Sequence, residues 1–162
     1  MANQIHPLAV VDPEAKIGDG NIIGPFCVID KNVVIGDNNK FLNNVTIHFG
    51  ARIGNGNEFF PGASISTKPQ DLKFKGEETT CEIGDNNSIR ENVTIHYGAR
   101  IGNGNEIFPG ASISTKPQDL KFKGEDTTCE IGDNNSIREN VTISRGTASK
   151  GKTVIGNGNL LM

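Results

Sequence analysis

The sequence predicts an all-β fold, a solenoid of stacked β coils, on three observations. An apolar residue recurs every six positions along most of the 162-residue chain. A second pattern, Ile-Gly followed by Asp or Asn, recurs every 18 positions once three insertions are removed. The composition adds 20 glycines and 7 prolines and no tryptophan, which is typical of many tight turns and small core residues. These features favour one elongated repeat array over a bundle of helices.

The six-residue period is carried by positions that all hold Ile, Val, Phe or Leu. They are residues 5, 11, 17, 23, 29, 35, 41, 47, 53, 59, 65, 83, 89, 95, 101, 107, 113, 131, 137, 143, 155 and 161. Helices repeat near 3.6 residues and single strands near 2, so neither alone explains this period. A small or short residue follows most of these positions four residues later, as at Cys27 and Ala51. Each hexapeptide is therefore predicted to form one short strand with an inward apolar residue, and one corner.

The 18-residue period indicates that three hexapeptides close one triangular coil. The Ile-Gly pattern begins at Ile17, Ile35, Ile53, Ile83, Ile101, Ile131 and Ile155. These starts are evenly spaced if insertions of about 12, 12 and 6 residues are removed after the hexapeptides that begin at Ile65, Ile113 and Ile143. The prediction is about seven coils with two 12-residue loops, forming a rod roughly 34 Å long at about 4.8 Å per coil.

Two residue types are expected to stack along the edges of this prism. The glycines that follow the repeated isoleucines, such as Gly18 and Gly84, are expected at tight or left-handed corners. Asparagines at a constant place in the coil, such as Asn39, Asn57 and Asn87, are expected to bond through their amides along the rod axis.

The sequence also contains a repeat that is longer than one coil. Residues 46–93 and 94–141 form the same 48-residue unit and differ only at Phe49/Tyr97, Phe59/Ile107 and Glu78/Asp126. The identity extends through the loop that begins at Lys68 and returns at Lys116, although surface loops normally tolerate change. We therefore favour an engineered tandem duplication within a single β-helix domain over 1–162, with a natural duplication as the alternative.

Composition and charge argue against several classes of function. A net charge of −3 with mixed signs provides no basic stripe for nucleic acid, and no apolar run is long enough to span a membrane. The first residues lack the pattern of a secretory signal, which favours a cytoplasmic protein. Cys27, Cys81 and Cys129 form no CxxC pair and are expected to be reduced packing residues. No metal or cofactor is expected.

The hexapeptide pattern resembles that of the left-handed parallel β-helix acyltransferases, and the left-handed winding is implied by that resemblance. More specific segments resemble the UDP-N-acetylglucosamine O-acyltransferases of lipid A biosynthesis. These segments are Ile22 to Cys27, Pro69 to Lys73, Ile89 to Ile95, Ile143 to Thr147 and Gly158 to Met162. The resemblance covers the whole chain once one 48-residue unit is discounted, and it corresponds to the N-terminal part of the family's β-helix.

The resemblance also implies which parts of the family enzyme the chain lacks. In the family a His-x-x-His-Asp segment, whose second histidine is the general base, follows the stretch that here ends at Met162. Histidine suits that role because its usual pKa near 6.5 lets it accept a proton from a sugar hydroxyl. The later coils and the C-terminal helical domain are also expected to be absent, so the chain as it stands is not expected to be an enzyme.

The resemblance assigns substrate contacts to a Gln-Asp-Leu-Lys loop. It maps to Gln118, Asp119 and Lys121, and in the first copy to Gln70, Asp71 and Lys73. Solvated loop charges are the plainer interpretation of these residues. Family members are homotrimers, which makes outward residues candidates for the trimer interface; these are His48, Phe49, Arg52, His96, Tyr97 and Arg100. A zinc site at His48 or His96 across that interface is less favoured than interface packing, because neither has a second ligand nearby in sequence.

The leading hypothesis for function is therefore a non-catalytic β-helix scaffold derived from such an acyltransferase. One alternative is a sugar-nucleotide O-acyltransferase that uses acyl carrier protein thioester and UDP-N-acetylglucosamine. Another is binding of the sugar nucleotide without turnover. The chain ends at Leu160, Leu161 and Met162 without a polar cap, which predicts that trimers stack end to end.

Overall fold

A computed structural model of the protein describes residues 1–68 and 80–162. Those residues form 22 short strands and no helix. In chain order the strands are β1 (Gln4–Ile5), β2 (Val10–Val11), β3 (Lys16–Ile17), β4 (Ile22–Ile23), β5 (Val28–Ile29), β6 (Val34–Ile35), β7 (Lys40–Phe41), β8 (Thr46–Ile47), β9 (Ala51–Ile53), β10 (Glu58–Phe59), β11 (Ser64–Thr67), β12 (Cys81–Ile83), β13 (Ser88–Ile89), β14 (Thr94–His96), β15 (Ala99–Ile101), β16 (Glu106–Ile107), β17 (Ser112–Thr115), β18 (Thr128–Ile131), β19 (Ser136–Ile137), β20 (Thr142–Ser144), β21 (Lys152–Ile155) and β22 (Leu160–Leu161). Each strand contains one apolar position of the six-residue period, so the prediction of one strand per hexapeptide is confirmed.

The strands build three parallel sheets, which are the three faces of the predicted prism. The first sheet has the order β1-β4-β7-β10-β13-β16-β19-β22, the second β2-β5-β8-β11-β14-β17-β20, and the third β3-β6-β9-β12-β15-β18-β21. Every third strand along the chain is thus a neighbour in one sheet. The chain advances by one coil for every three strands, and the predicted parallel β-helix of stacked triangular coils is confirmed.

The pairing register confirms the coil length and the three insertions. Ile35 pairs with Ile53, one uninterrupted coil further along the chain. Ile53 pairs with Ile83, and Ile101 pairs with Ile131, across the coils that carry the two longer insertions. Ile131 pairs with Ile155 across the coil that carries the shorter insertion. The insertions therefore leave every apolar position in register.

The core is a column of branched apolar side chains in the centre of the prism. Ile29, Ile47, Ile65 and Ile95 stack in consecutive coils and are almost fully buried. Burying a side chain of this size removes it from water at a gain of roughly 1.5 to 3 kcal/mol. Small residues fill the corners, where Cys81 pairs with Ala51 and Cys129 with Ala99. The core therefore uses a narrow set of residue types at fixed places in the coil.

The glycine corners are tight and not left-handed, so the first of the two predicted alternatives is confirmed. A Cβ placed on Gly84 would lie 2.6 Å from the carbonyl oxygen of Gly102 in the next coil. Glycine is therefore required by the close approach of two backbones. The left-handed residue comes two positions later, where Asn86 has a φ of 57°. Asparagine adopts this conformation more readily than most residues do.

A ladder of buried asparagine amides runs along one edge of the prism. Asn57 Nδ2 donates to Asn39 Oδ1 (3.0 Å) and to the carbonyl oxygen of Gly84 (2.8 Å). Asn57 Oδ1 accepts from the backbone N–H of Asn87 (2.9 Å) and from its Nδ2 (3.0 Å). Both amide hydrogens and both oxygen lone pairs are thus satisfied. The predicted stacking of amides along the axis is confirmed.

A local distortion of the second sheet precedes each 12-residue loop. The pairing of β11 with β14 and of β17 with β20 shifts by one residue, at Ser66 and Ser114. Both serines are buried with φ near 62°, and each hydroxyl donates to a backbone carbonyl, that of Phe49 or Tyr97, at 2.9 Å. The extra residue ends the regular pairing and directs the chain out of the coil.

Within residues 1–68 and 80–162, no helix is long and apolar enough to cross a membrane.

Replacing Asn57 with Ala is expected to lower the free energy of unfolding by about 3 kcal/mol, because the buried Asn87 N–H and Gly84 carbonyl lose their partners. Urea unfolding followed by circular dichroism measures this loss. The matched control is Asn103→Ala, which removes one exposed acceptor for the Asp85 N–H and should cost less than about 1 kcal/mol. Equal losses in the two variants would contradict a stabilising role of the buried ladder.

Candidate functional site

The candidate site lies on the outer face of the second sheet. Two columns of polar side chains flank the inward isoleucines there. The column before the isoleucine contains Thr46, Ser64, Thr94, Ser112 and Thr142. The column after it contains Asp30, His48 and His96, and the loop at 116–127 leaves from its edge. This arrangement follows from strand alternation, since residues on either side of an inward residue point outward.

The second loop, residues 116–127, covers part of this face. A cavity of about 360 Å³ lies between the loop and the sheet, and His96, Lys116, Gln118 and Arg145 contribute to its lining. Three of these four side chains carry nitrogen groups that can be positively charged. The cavity is therefore suited to an anionic or hydroxyl-rich ligand.

The loop is attached to the sheet through Arg145. This arginine follows β20 and is only 2% exposed. Its guanidinium lies 4.3 Å from the ring centre of Tyr97 and 5.4 Å from that of Phe122, which belongs to the loop. A cation over an aromatic ring is attractive at these distances. Phe122 itself is buried, so it anchors the middle of the loop.

Tyr97 is not an outward residue, and its prediction as an interface candidate is wrong in this respect. Its side chain is 7% exposed and lies beneath Arg145. The reason is the loop, which brings Phe122 over the same part of the sheet. The equivalent residue of the first unit, Phe49, is 38% exposed.

The predicted substrate residues of the second loop do not form a cluster. Gln118 borders the cavity, but Gln118, Asp119 and Lys121 are all exposed. The Asp119 carboxylate accepts a hydrogen bond from the backbone N–H of Lys121 at 2.9 Å, a turn within the loop. Gln70, Asp71 and Lys73 of the first copy lie outside the described residues.

The other interface candidates lie on two faces of the prism. His48 and His96 are on the second sheet, whereas Arg52 on β9 and Arg100 on β15 are on the third. Arg52 donates to the carbonyl oxygen of Asn32 (2.5 Å) and to its side chain (3.0 Å). Arg100 is 4.0 Å from Glu130. A role for these residues in a trimer stays a prediction.

His48 and His96 occupy equivalent places two coils apart, but their surroundings differ. His48 Nε2 is 3.0 Å from Ser64 Oγ, and its Nδ1 is 3.7 Å from Asp30 Oδ2. His96 Nδ1 is 2.6 Å from Thr67 Oγ1 instead. Burial lowers the pKa of both imidazoles below the usual 6.5. Both are therefore neutral at pH 7 and can accept a proton.

The cysteines and the possible metal ligands contribute no site in the described part of the chain. Cys27, Cys81 and Cys129 are buried free thiols, as the sequence predicted. Burial raises the pKa of Cys81 to about 12 and that of Cys129 to about 11, which leaves them as unreactive thiols at neutral pH. No group of three or more His, Cys, Asp or Glu side chains in residues 1–68 and 80–162 could hold a metal ion.

Sequence reasoning missed several residues of this face. The sequence patterns include Arg145 only as part of a motif, and they assign no role to Phe122 or Ser64. The coil period carries a signal for Asp30, because it lies one coil before His48. No comparable signal places Phe122 against Arg145, since loop conformation does not follow from the repeat.

Two kinds of comparison relate this fold to known proteins. A family model described as bacterial transferase hexapeptide (six repeats) matches residues 14–49. This part of the chain carries the hexapeptide repeat of that family. With the three parallel sheets described above, the fold is the left-handed parallel β-helix that the sequence predicted. No match is found among curated proteins.

Solved structures of UDP-N-acetylglucosamine acyltransferases are similar to this chain. The enzyme from Bacteroides fragilis is 46% identical over 88% of this chain, with a TM-score of 0.70. The enzyme from Moraxella catarrhalis is 36% identical over 96%, with a TM-score of 0.80. LpxA from Acinetobacter baumannii is 30% identical over 98%, with a TM-score of 0.68. The chain spans 56% of the length of the first two and 66% of the third.

Proposed function

We propose that this chain works as a non-catalytic β-helix scaffold of the acyltransferase type. The observation that carries the proposal is the state of the second loop, whose Asp119 carboxylate bonds to the loop's own backbone. Gln118 and Lys121 are exposed beside it. A base that takes a proton from a sugar hydroxyl must lie within hydrogen-bond reach of the bound sugar. Of Gln118, Asp119 and Lys121, Gln118 alone borders the cavity that His96 also lines.

The two 48-residue units are proposed to be a tandem duplication, engineered or natural, within one β-helix domain over 1–162. Support comes from the pairing at their junctions. Ile95 of the second unit pairs with Ile65 of the first, and Ile113 of the second unit pairs with Ile143 beyond it. A unit of whole coils adds length without exposing core positions, which is how solenoids grow.

Assembly and location belong to the same proposal. A homotrimer is expected by resemblance to the acyltransferases, and end-to-end stacking of trimers and a cytoplasmic location stay predictions. UDP-N-acetylglucosamine and acyl carrier protein are partners only if the activity of that family is retained.

Binding of a sugar nucleotide without turnover is the second candidate, and the cavity beside the loop favours it. Lys116 and Arg145 provide positive charge for phosphate, and His96 and Gln118 provide further polar groups. This arrangement is compatible with a ligand that carries a diphosphate and sugar hydroxyls.

An acyl-transfer assay tests the scaffold proposal. The protein is incubated with UDP-N-acetylglucosamine and an acyl carrier protein thioester, and acylated sugar nucleotide is measured by mass spectrometry. The expected result is product at the rate of the buffer alone, because the Asp119 carboxylate is bonded to its own loop and Lys121 is exposed to solvent. Product that increases in proportion to protein concentration would overturn the proposal.

Calorimetric titration with UDP-N-acetylglucosamine tests the second candidate. If the cavity and loop bind the ligand, Lys116→Ala is expected to weaken binding about tenfold, since Lys116 lines the cavity and its charge is lost. Lys121→Ala is expected to weaken binding by about the same factor, since the resemblance assigns Lys121 to the substrate. Lys123→Ala is the matched control, an exposed lysine of the same loop whose backbone N–H bonds to Glu125. Equal weakening in all three variants would indicate nonspecific attraction and contradict a site at the loop.

A further inference from the structure

Three consecutive coils of the second sheet bring a carboxylate, an imidazole and a hydroxyl together. Asp30 follows β5, His48 follows β8, and Ser64 opens β11. Ser64 Oγ lies 3.0 Å from His48 Nε2, and Asp30 Oδ2 lies 3.7 Å from His48 Nδ1. The imidazole therefore has the hydroxyl on one nitrogen and the carboxylate on the other. This cluster is separate from the cavity at the second loop.

The carboxylate determines which nitrogen of His48 carries the proton. At 3.7 Å Asp30 is too far for a direct hydrogen bond, but its negative charge favours the tautomer with the proton on Nδ1. Nε2 is then an acceptor for the Ser64 hydroxyl. This is the arrangement that activates a serine nucleophile, with a base and a group that orients the base.

The surroundings keep the imidazole neutral and the cluster accessible. Burial lowers the pKa of His48; the charge of Asp30 opposes this shift and that of Lys68 adds to it. The side chains of His48 and Asp30 are 32% and 41% exposed, and Ser64 is partly exposed. A small reagent can therefore reach the hydroxyl. The positive charge of Lys68 acts on this cluster, since it contributes to the lowered pKa of His48.

We propose that Ser64 is a nucleophile that accepts an acyl group from activated esters and thioesters, with His48 as its base and Asp30 as the residue that positions His48. This activity does not involve transfer to a sugar nucleotide, and it is tested separately from the scaffold proposal.

In the proposed step, Ser64 Oγ attacks the carbonyl carbon of the acyl donor and a new Oγ–C bond forms. The bond from that carbon to the thiolate sulfur or aryloxide oxygen breaks, and its electron pair leaves with the leaving group. The hydroxyl proton passes to His48 Nε2 and then to the leaving group. The products are an O-acyl serine and a free thiol or phenol, so atoms and charge balance.

The second 48-residue unit provides an internal control. Ser112 and His96 stand where Ser64 and His48 stand in the first unit, but the partner of His96 Nδ1 is the hydroxyl of Thr67. No hydrogen bond joins His96 to Ser112 in the described part of the chain. Both serines therefore open a strand of the second sheet and are partly exposed. The His48 site has the Asp30 carboxylate near Nδ1, where the His96 site has the Thr67 hydroxyl.

Labelling with p-nitrophenyl acetate tests the proposal on the full chain in the oligomeric state in which it is purified. We expect one acetyl group per chain at Ser64, found by intact mass and peptide mapping, with a matching release of nitrophenolate. Ser112 should be labelled less than a tenth as fast. The rate constant should rise with pH through the lowered pKa of His48 and level off above it.

The variants separate the roles. Ser64→Ala should abolish the rapid release of nitrophenolate, His48→Gln should slow acetylation at least tenfold, and Asp30→Asn at least threefold. Ser88→Ala, at a serine on the first sheet, should leave the rate unchanged. If Ser64→Ala keeps the rapid release of nitrophenolate, His48 is the nucleophile and the proposal is overturned. Equal labelling of Ser64 and Ser112 in the unmodified protein would overturn it too, and this comparison needs no variant that must fold.

Discussion

The stacking of one coil directly on the next, through backbone pairing and the buried asparagine ladder, is the constraint on which the whole structure depends. Each amide in the ladder is bonded to the coils on both sides, as for Asn57 between Asn39 and Asn87. A buried amide left without partners is costly. Any change in coil length must therefore return the chain to the same place one coil later. The 18-residue period is the expression of this requirement in the sequence.

The loops show how the fold admits additional residues under that constraint. The chain leaves the second sheet after a buried, left-handed serine, Ser66 or Ser114, and pairing resumes on the third sheet of the same coil in full register. The candidate chemistry of the molecule is found beside these exits. The cavity lies under the second loop, and the Asp30, His48 and Ser64 cluster lies next to the exit at Ser66. A regular solenoid thus positions irregular segments on one face.

Much of the fold could be predicted because the repeat reports on backbone stacking, whereas the site depends on individual side chains. The strands, the three faces and the insertions all follow from the spacing of residues such as Ile53 and Ile83. The repeat predicts a tight or left-handed corner at Gly84. In the structure the close approach of backbones is at Gly84, against Gly102, and the left-handed conformation is at Asn86. Tyr97 is predicted outside and is covered by Arg145, because the path of a loop is not contained in a period. The proximity of Ser64 to His48 depends on the imidazole orientation, which no sequence pattern specifies.

Deleting residues 94–141 tests the central claim that whole coils are interchangeable modules. The deletion joins Val93 to Thr142, which keeps the 18-residue phase because the removed unit equals two coils and one loop. The account predicts a cooperatively folded protein with an unchanged circular dichroism spectrum per residue. A control deletion of 94–135, which is six residues shorter and moves every later residue to the next face, should unfold the following coils. If both deletions fold equally well, or if neither folds, coil phase does not determine this structure.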